Sequence, residues 1–193
     1  MTKKKILLGI TGSIAAYKTP YLVRLLVKNG FGVRCILTEA AEHFVTRETL
    51  EELSSGMVYK EMFHTTTAES QTEKSDYHIS LARWADAILI APATADTIAK
   101  IAGGRCEDLL SATVLSMWGK PVIIAPAMND AMWKHPATRS NIRRIESEYG
   151  YKIISPEKGE LACGTEGEGR LAGLEKILSV VKSTLSSLPL KSK

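Results

Sequence analysis

Lys5-Ile-Leu-Leu-Gly-Ile-Thr-Gly-Ser13 is an apolar run that stops abruptly at small polar residues. An apolar run of this length without alternation has the character of a parallel strand buried on both faces. Downstream, Ile14, Tyr17, Tyr21, Leu22, Leu25 and Leu26 recur at helical spacing as far as Asn29-Gly30, a favourable helix end. Pro20 falls inside that pattern and is expected to kink the helix or to sit in its first turns. Gly32-Val-Arg-Cys-Ile-Leu37 reads as a second strand. Strand, turn, helix and strand in this order make a βαβ unit with a right-handed crossover.

The alternation continues outward from this unit. Residues 86–91, 120–125 and 151–154 read as further strands, and 76–84, 107–115, 136–150 and 174–185 as helices. Residues 40–55 look helical but short and polar. Residues 54–75 show no clear period and read as a long loop of the kind that carries function. The pattern predicts a three-layer α/β/α fold of the Rossmann-like type around a mostly parallel sheet, one domain over residues 1–193. Lys158-Gly-Glu-Leu-Ala-Cys-Gly-Thr-Glu-Gly-Glu-Gly-Arg170 breaks the pattern. It has no apolar period of 2 or 3.6 and is expected to be neither strand nor helix, but a glycine-rich flap over about 156–172. Residues 188–193 read as a flexible tail.

Composition narrows the partners. The chain has 193 residues, 45% apolar and 24% charged, with a net charge of +4, which is ordinary for a soluble globular protein. Much of the basic excess sits at Lys3, Lys4, Lys5, Lys191 and Lys193. Without a basic stripe interleaved with aromatics, a nucleic-acid partner is not expected. No apolar run approaches the roughly 20 residues that span a bilayer, and the expectation is a cytoplasmic protein with no membrane partner. Cys35, Cys106 and Cys163 are odd in number and widely spaced, so neither a disulfide framework nor a metal site is indicated.

Several residues carry candidate chemistry. The turn at Gly12-Ser13 is either a phosphate-binding helix start or a tight turn with Ser13 as N-cap. It is neither a Walker loop nor a GxGxxG fingerprint. Glu39 is either a ribose ligand or part of the next helix start. His78, near the start of a helix, is either a general base or a polar helix-start residue bonded to backbone. Two strands end alike, in Ala91-Pro-Ala-Thr-Ala-Asp-Thr97 and in Ala125-Pro-Ala-Met-Asn-Asp-Ala-Met132. Ligands of open parallel sheets sit beyond the carboxyl ends of strands, so both loops are expected to line one site. Asn129 can donate and accept together, which suits a carboxylate or an amide. Met128, Met132 and Trp133 are wall or core.

Taken together, the motifs resemble those of the flavin-dependent cysteine decarboxylases, over nearly the whole chain. Gly12-Ser-Ile-Ala-Ala-Tyr-Lys18 resembles the family's opening turn, and His78 before Leu81-Ala-Arg-Trp-Ala-Asp86 resembles its essential histidine. Pro92-Ala-Thr-Ala-Asp-Thr97 is similar to the PASANT stretch, with Thr94 for Ser and Asp96 for Asn. Pro126-Ala-Met-Asn-Asp-Ala-Met132 matches PxMNxxM, and Leu161-Ala-Cys-Gly-Thr-Glu-Gly-Glu-Gly-Arg170 matches the substrate flap.

The resemblance implies FMN as cofactor, contacted by Gly12, Ser13 and Ile14, with Thr38 and Phe44 nearby and Pro92, Ala93, Thr94, Ala95 and Ala127 lining the site. It implies that Asn129 and Met128, with Ala162 and Gly164 of the flap, bind the substrate. His78 and Cys163 are implied as the catalytic pair. The implied substrate is phosphopantothenoylcysteine, decarboxylated on the route to coenzyme A. The implied assembly is a homotrimer or a trimer-based dodecamer, with the flavin near a subunit interface. The synthetase that many bacterial relatives carry as a fused domain is expected here as a separate protein. Three other readings of the same pattern are a peptidyl-cysteine decarboxylase, a flavin prenyltransferase and a non-catalytic regulatory flavoprotein.

Overall fold

A computed structural model describes residues 3–54, 56–62, 77–160, 164 and 166–187. Strand β1 (Lys5–Ile10) leads through a 3-10 helix (Ile14–Lys18) into helix α1 (Thr19–Lys28) and strand β2 (Gly32–Leu37). A second 3-10 helix (Glu39–His43), helix α2 (Arg47–Ser54) and strand β3 (Val58–Tyr59) follow. Then come α3 (Tyr77–Trp84), β4 (Ala87–Ala93), α4 (Ala95–Ala102), α5 (Leu109–Ser116) and β5 (Val122–Pro126). The chain continues through α6 (Asp130–Lys134), α7 (Pro136–Tyr149), β6 (Lys152–Ile153), β7 (Glu157–Glu160), β8 (Glu166–Arg170) and α8 (Leu174–Ser186).

Six strands form one sheet in the order β3-β2-β1-β4-β5-β6, every pair parallel. The chain builds outward from β1 to β3, then returns to the other side of β1 with β4. The order reverses between β1 and β4, and a crevice opens there at the carboxyl ends of the strands. One face of the sheet packs on α1, α2 and α8 through Leu22, Leu26, Leu50, Ile177 and Val181. The opposite face packs on α3, α4, α5 and α7 through Leu81, Ile98, Leu110, Ile142 and Ile145. The three-layer α/β/α expectation is met.

Local chemistry accounts for the element ends. Pro20 sits in the first turn of α1, where its missing N–H costs no hydrogen bond. Asp108 opens α5 with a reciprocal capping box, accepting from Ser111 N at 2.8 Å while its own N–H donates to Ser111 Oγ at 3.2 Å. Helix α7 stops at Gly150, whose φ of 68° is left-handed. Helix α3 is only eight residues long and needs tertiary support. Lys120 Nζ supplies it at the carboxyl end, donating to Ala82 O at 2.6 Å and Ala85 O at 2.7 Å. Tyr77 packs edge-on against Tyr59 at the other end.

Three expectations need correction. The apolar period from Ile14 to Leu26 is two elements, and its first half does not face the core. Leu22 and Leu26 are buried, whereas Ile14, Tyr17 and Tyr21 are exposed. Ile14 and Tyr17 lie on the 3-10 helix, whose side chains are spaced differently from those of an α-helix, and Tyr21 lies on the outer face of α1. Residues 58–59 are a strand inside the stretch read as loop. Two residues are too few for any period, and burial against β2 makes them a strand. The helix expected to be mostly core is so from Leu109 to Val114, with Leu115 exposed. The glycine-rich flap is flanked by regular structure: β7 and β8 pair as an antiparallel hairpin. In Glu166-Gly-Glu-Gly-Arg170 the two glycines are buried and the charged residues exposed. The period is 2, but glycine hides it from any reading based on hydrophobicity.

Candidate functional site

The crevice is built from hydrogen bonds that tie successive strand ends together. Thr11, just after β1, is fully buried. Its Oγ1 donates to Pro92 O at 2.8 Å and accepts from Thr94 N at 3.0 Å, which joins the ends of β1 and β4. Ala127 N donates to Ala93 O at 3.0 Å, joining β4 to β5. Met128 N then donates to Gly169 O at 2.9 Å, joining β5 to the hairpin. Asp130 Oδ1 accepts from Glu168 N at 2.8 Å beside it. A continuous seam therefore runs from Thr11 to β8 along the carboxyl edge of the sheet. The two Ala-Pro-Ala loops lie side by side along this edge.

Along this seam, Pro92, Ala93 and Ala127 are buried. Thr94 and Ala95 are half-buried, with Thr94 capping α4 by accepting from Thr97 N at 3.3 Å. Asn129 is exposed. Its Oδ1 accepts from Ala131 N at 2.9 Å and caps α6, which fixes the amide orientation. Met128 is half-buried, Met132 is exposed and Trp133 belongs to the core.

The Gly12-Ser13 turn is tighter than an open phosphate loop. Ser13 N donates to Thr11 O at 2.8 Å, and Ser13 Oγ accepts from Ala15 N at 3.4 Å. The N-cap reading of Ser13 holds, and two of the turn's donors are used internally. What the turn offers is close approach. A methyl group added to Gly12 would collide with Ala40. Glu39 begins the 3-10 helix that follows Thr38, as the second reading of it held.

On the β2 side of the crevice, Thr38 N donates to Ile10 O at 3.1 Å. Its Oγ1 is buried and has no hydrogen-bond partner among the described residues, an arrangement that costs about 1–3 kcal/mol unless a ligand or water satisfies it. Thr38 lines a cleft of about 560 Å3 with Glu39, Lys60, Met62, Asp108 and Leu109. Lys60 is paired with Glu42 at 2.7 Å, and that hydrogen bond raises its pKa.

His78 lies on α3, in a neighbouring cleft of about 390 Å3 lined also by Met62, Cys106, Ala112, Leu115 and Ser116. Its Nδ1 is buried without a partner among the described residues. Bonding of Nδ1 to backbone, the bland reading of this residue, is not what holds it. Helix α3 packs on α5 and, through Tyr77, on β3. His78 therefore sits on the β2–β3 side of the reversal point and Asn129 on the β5 side. His78 and Thr38 line neighbouring clefts that share Met62.

The expected flap residues Ala162 and Cys163 lie outside the described residues, as do 63–76 and the tail 188–193. Gly164 is exposed with φ 79°. Sequence reasoning missed Thr11 and Asp130, which make the seam. Thr11 reads as a strand terminator, and only tertiary pairing gives it a function. The residues present fit a flat, hydroxylated, anionic cofactor. Thr38 Oγ1 needs a partner, and Ile14 and Phe44 expose apolar surface at the ends of β1 and β2.

A doubly wound α/β protein with its ligand crevice at the β1/β4 reversal is what fold and site define. The family model described as Flavoprotein matches residues 1–186, and the chain belongs to that family. It is 42% identical over 183 residues to the coenzyme A biosynthesis bifunctional protein CoaBC of Haemophilus influenzae. That match covers 95% of the chain but 44% of the relative, so the chain spans under half the length of such bifunctional proteins. It is 39% identical to a probable phosphopantothenoylcysteine decarboxylase of Streptococcus mutans, covering 94% of the chain and 99% of the relative. Among solved structures, it resembles a cysteine-to-serine mutant of PPC decarboxylase complexed with pantothenoylaminoethenethiol. The TM-score is 0.85 at 33% identity, over 96% of the chain and 100% of the other. The FMN-binding protein AtHal3 superposes with a TM-score of 0.82 at 33% identity, over 98% and 100%.

Proposed function

We propose that this protein is an FMN-dependent carboxy-lyase that converts phosphopantothenoylcysteine to phosphopantetheine in coenzyme A biosynthesis. Membership of the flavoprotein family and the likeness to decarboxylases along almost the whole chain support the reading. The single observation that carries it is the seam that brings the hairpin strand β8 onto the Asn129 turn at the crevice.

The substrate is a cysteine amide with a free carboxylate. Losing CO2 directly would leave an unstabilised carbanion, so an electron sink is needed. FMN, when bound, would supply a reversible two-electron acceptor for the thiol. Gly12, Ser13 and Ile14, with Thr38, Phe44 and the 92–95 and 127 strand ends, would hold it. His78 takes a proton as the thiol is oxidised to a thioaldehyde. The electron pair of the bond to the carboxylate then flows into that group, giving CO2 and an enethiolate. Asn129 and Met128, with Ala162 and Gly164, hold the substrate. Cys163 donates the proton that permits the final reduction, since a thiol with an ordinary pKa near 8.5 is mostly protonated at neutral pH. Electrons balance over the cycle and no nicotinamide is consumed.

The proposal extends to a homotrimer with the flavin near a subunit interface, working in the cytoplasm. No helix among the described residues is long and apolar enough to cross a membrane. The deciding experiment is an absorbance spectrum of the purified protein, then CO2 release from phosphopantothenoylcysteine without nicotinamide. A flavin spectrum and one CO2 per substrate are expected. A yellow protein that decarboxylates only peptides ending in cysteine would replace this substrate with that one.

A further inference from the structure

We infer that Asp130 is a positioning residue whose carboxylate fixes strand β8 against the turn that presents Asn129. The inference deepens the decarboxylase reading and rests on it. Asp130 occupies a variable position of the PxMNxxM pattern, and nothing in that pattern gives it a role. Its two carboxylate oxygens hold two different elements. Oδ1 accepts from Glu168 N at 2.8 Å, 38 residues away in the chain, and Oδ2 accepts from Lys134 Nζ at 2.9 Å within α6.

The contact is one of a pair. The neighbouring residue of β8, Gly169, accepts from Met128 N, and its Cα lies so close on the Met128 carbonyl that any Cβ there would overlap it. Its φ of 151° is also one that side chains rarely adopt. Met128 and Asp130 thus grip consecutive residues of β8 from both sides of Asn129. Helix α6 has five residues and cannot stand alone. Its cap from Asn129 Oδ1 and its Asp130–Lys134 pair stabilise the same turn. Where β8 runs and how the Asn129 amide points are therefore set together. In sequence, the residues that join β7 to β8 include Cys163, the proposed proton donor. Hydrogen bonds from Lys134 and then from the Glu168 backbone hold the Asp130 carboxyl below the usual aspartate range, so it is charged at neutral pH.

The test compares Asp130→Ala, Asp130→Asn and Lys134→Ala in the full chain loaded with FMN. The readout is the ratio of oxidised enethiol product to phosphopantetheine, which does not depend on how much enzyme is folded. Asp130→Ala is expected to raise that ratio about tenfold. Asp130→Asn keeps an acceptor for Glu168 N–H and restores it, and Lys134→Ala leaves it near native. Amide hydrogen exchange at Glu168, measured without substrate, should speed up about tenfold in Asp130→Ala and not in Asp130→Asn. A native product ratio in Asp130→Ala, or no rescue by asparagine, overturns the inference. If the native protein releases no CO2, the functional reading falls, and exchange at Glu168 alone then decides whether Asp130 anchors β8.

Discussion

The two sides of the crevice are built in opposite ways. On the β5 side, every element is stitched to the next: Thr11 to Pro92 and Thr94, Ala93 to Ala127, Met128 to Gly169, Asp130 to Glu168. On the β2–β3 side, two buried polar atoms, Thr38 Oγ1 and His78 Nδ1, have no partner among the described residues. A buried unsatisfied group is costly, so it marks where something outside the chain is expected. The stitched side is rigid enough to orient a substrate. The unsatisfied side is chemically poised and incomplete. The two halves of one edge thus differ in how far their polar groups are satisfied, and each half can be broken separately.

The largest effect is expected on the unsatisfied side. His78→Asn should keep its flavin spectrum and lose CO2 release by a factor of about 100 or more, the usual worth of a general base. Full turnover by that variant would remove His78 from the chemistry. Next comes Cys163→Ser, which should still release CO2 but accumulate the oxidised enethiol; normal yields of phosphopantetheine, read by mass spectrometry, would contradict the proton-donor role. A smaller effect is expected in the seam. Thr11→Val keeps the shape but leaves Pro92 O and Thr94 N without their side-chain partner, at about 1–3 kcal/mol for each group left unsatisfied. Thermal unfolding should show a loss of several degrees, with weaker FMN retention; an unchanged Tm would mean that the seam is not what holds the strand ends. The smallest effect is a null one. Burial pushes the Cys35 thiol up to about 12, so alkylation of the native protein at pH 8 should label the exposed Cys106 and spare Cys35 until the chain is unfolded. Labelling of native Cys35 would show that the β2 core opens readily.

The layers of the fold were legible because parallel strands buried on both faces read as unbroken apolar runs. Residues 5–10, 86–91 and 120–125 all became central strands. Helix ends were legible where one residue dictates local geometry, as at Pro20 and Gly150. The apolar stripe of Ile14, Tyr17 and Tyr21 misled because hydrophobicity does not say which face finds a core. The Glu-Gly alternation of β8 was overlooked because the inward residues are glycines, chosen for close backbone approach rather than for apolar area.

The sequence by itself determined the βαβ alternation and the strand-end loops, since these depend on residues near one another in the chain. Only the tertiary structure decided which loops meet. Strand order places residues 11, 92–94, 127–130 and 168–169 in one seam and leaves His78 on the other side of the reversal point. The reason is physical: contacts between residues up to 83 apart in the chain are set by sheet topology and packing, which no local period encodes.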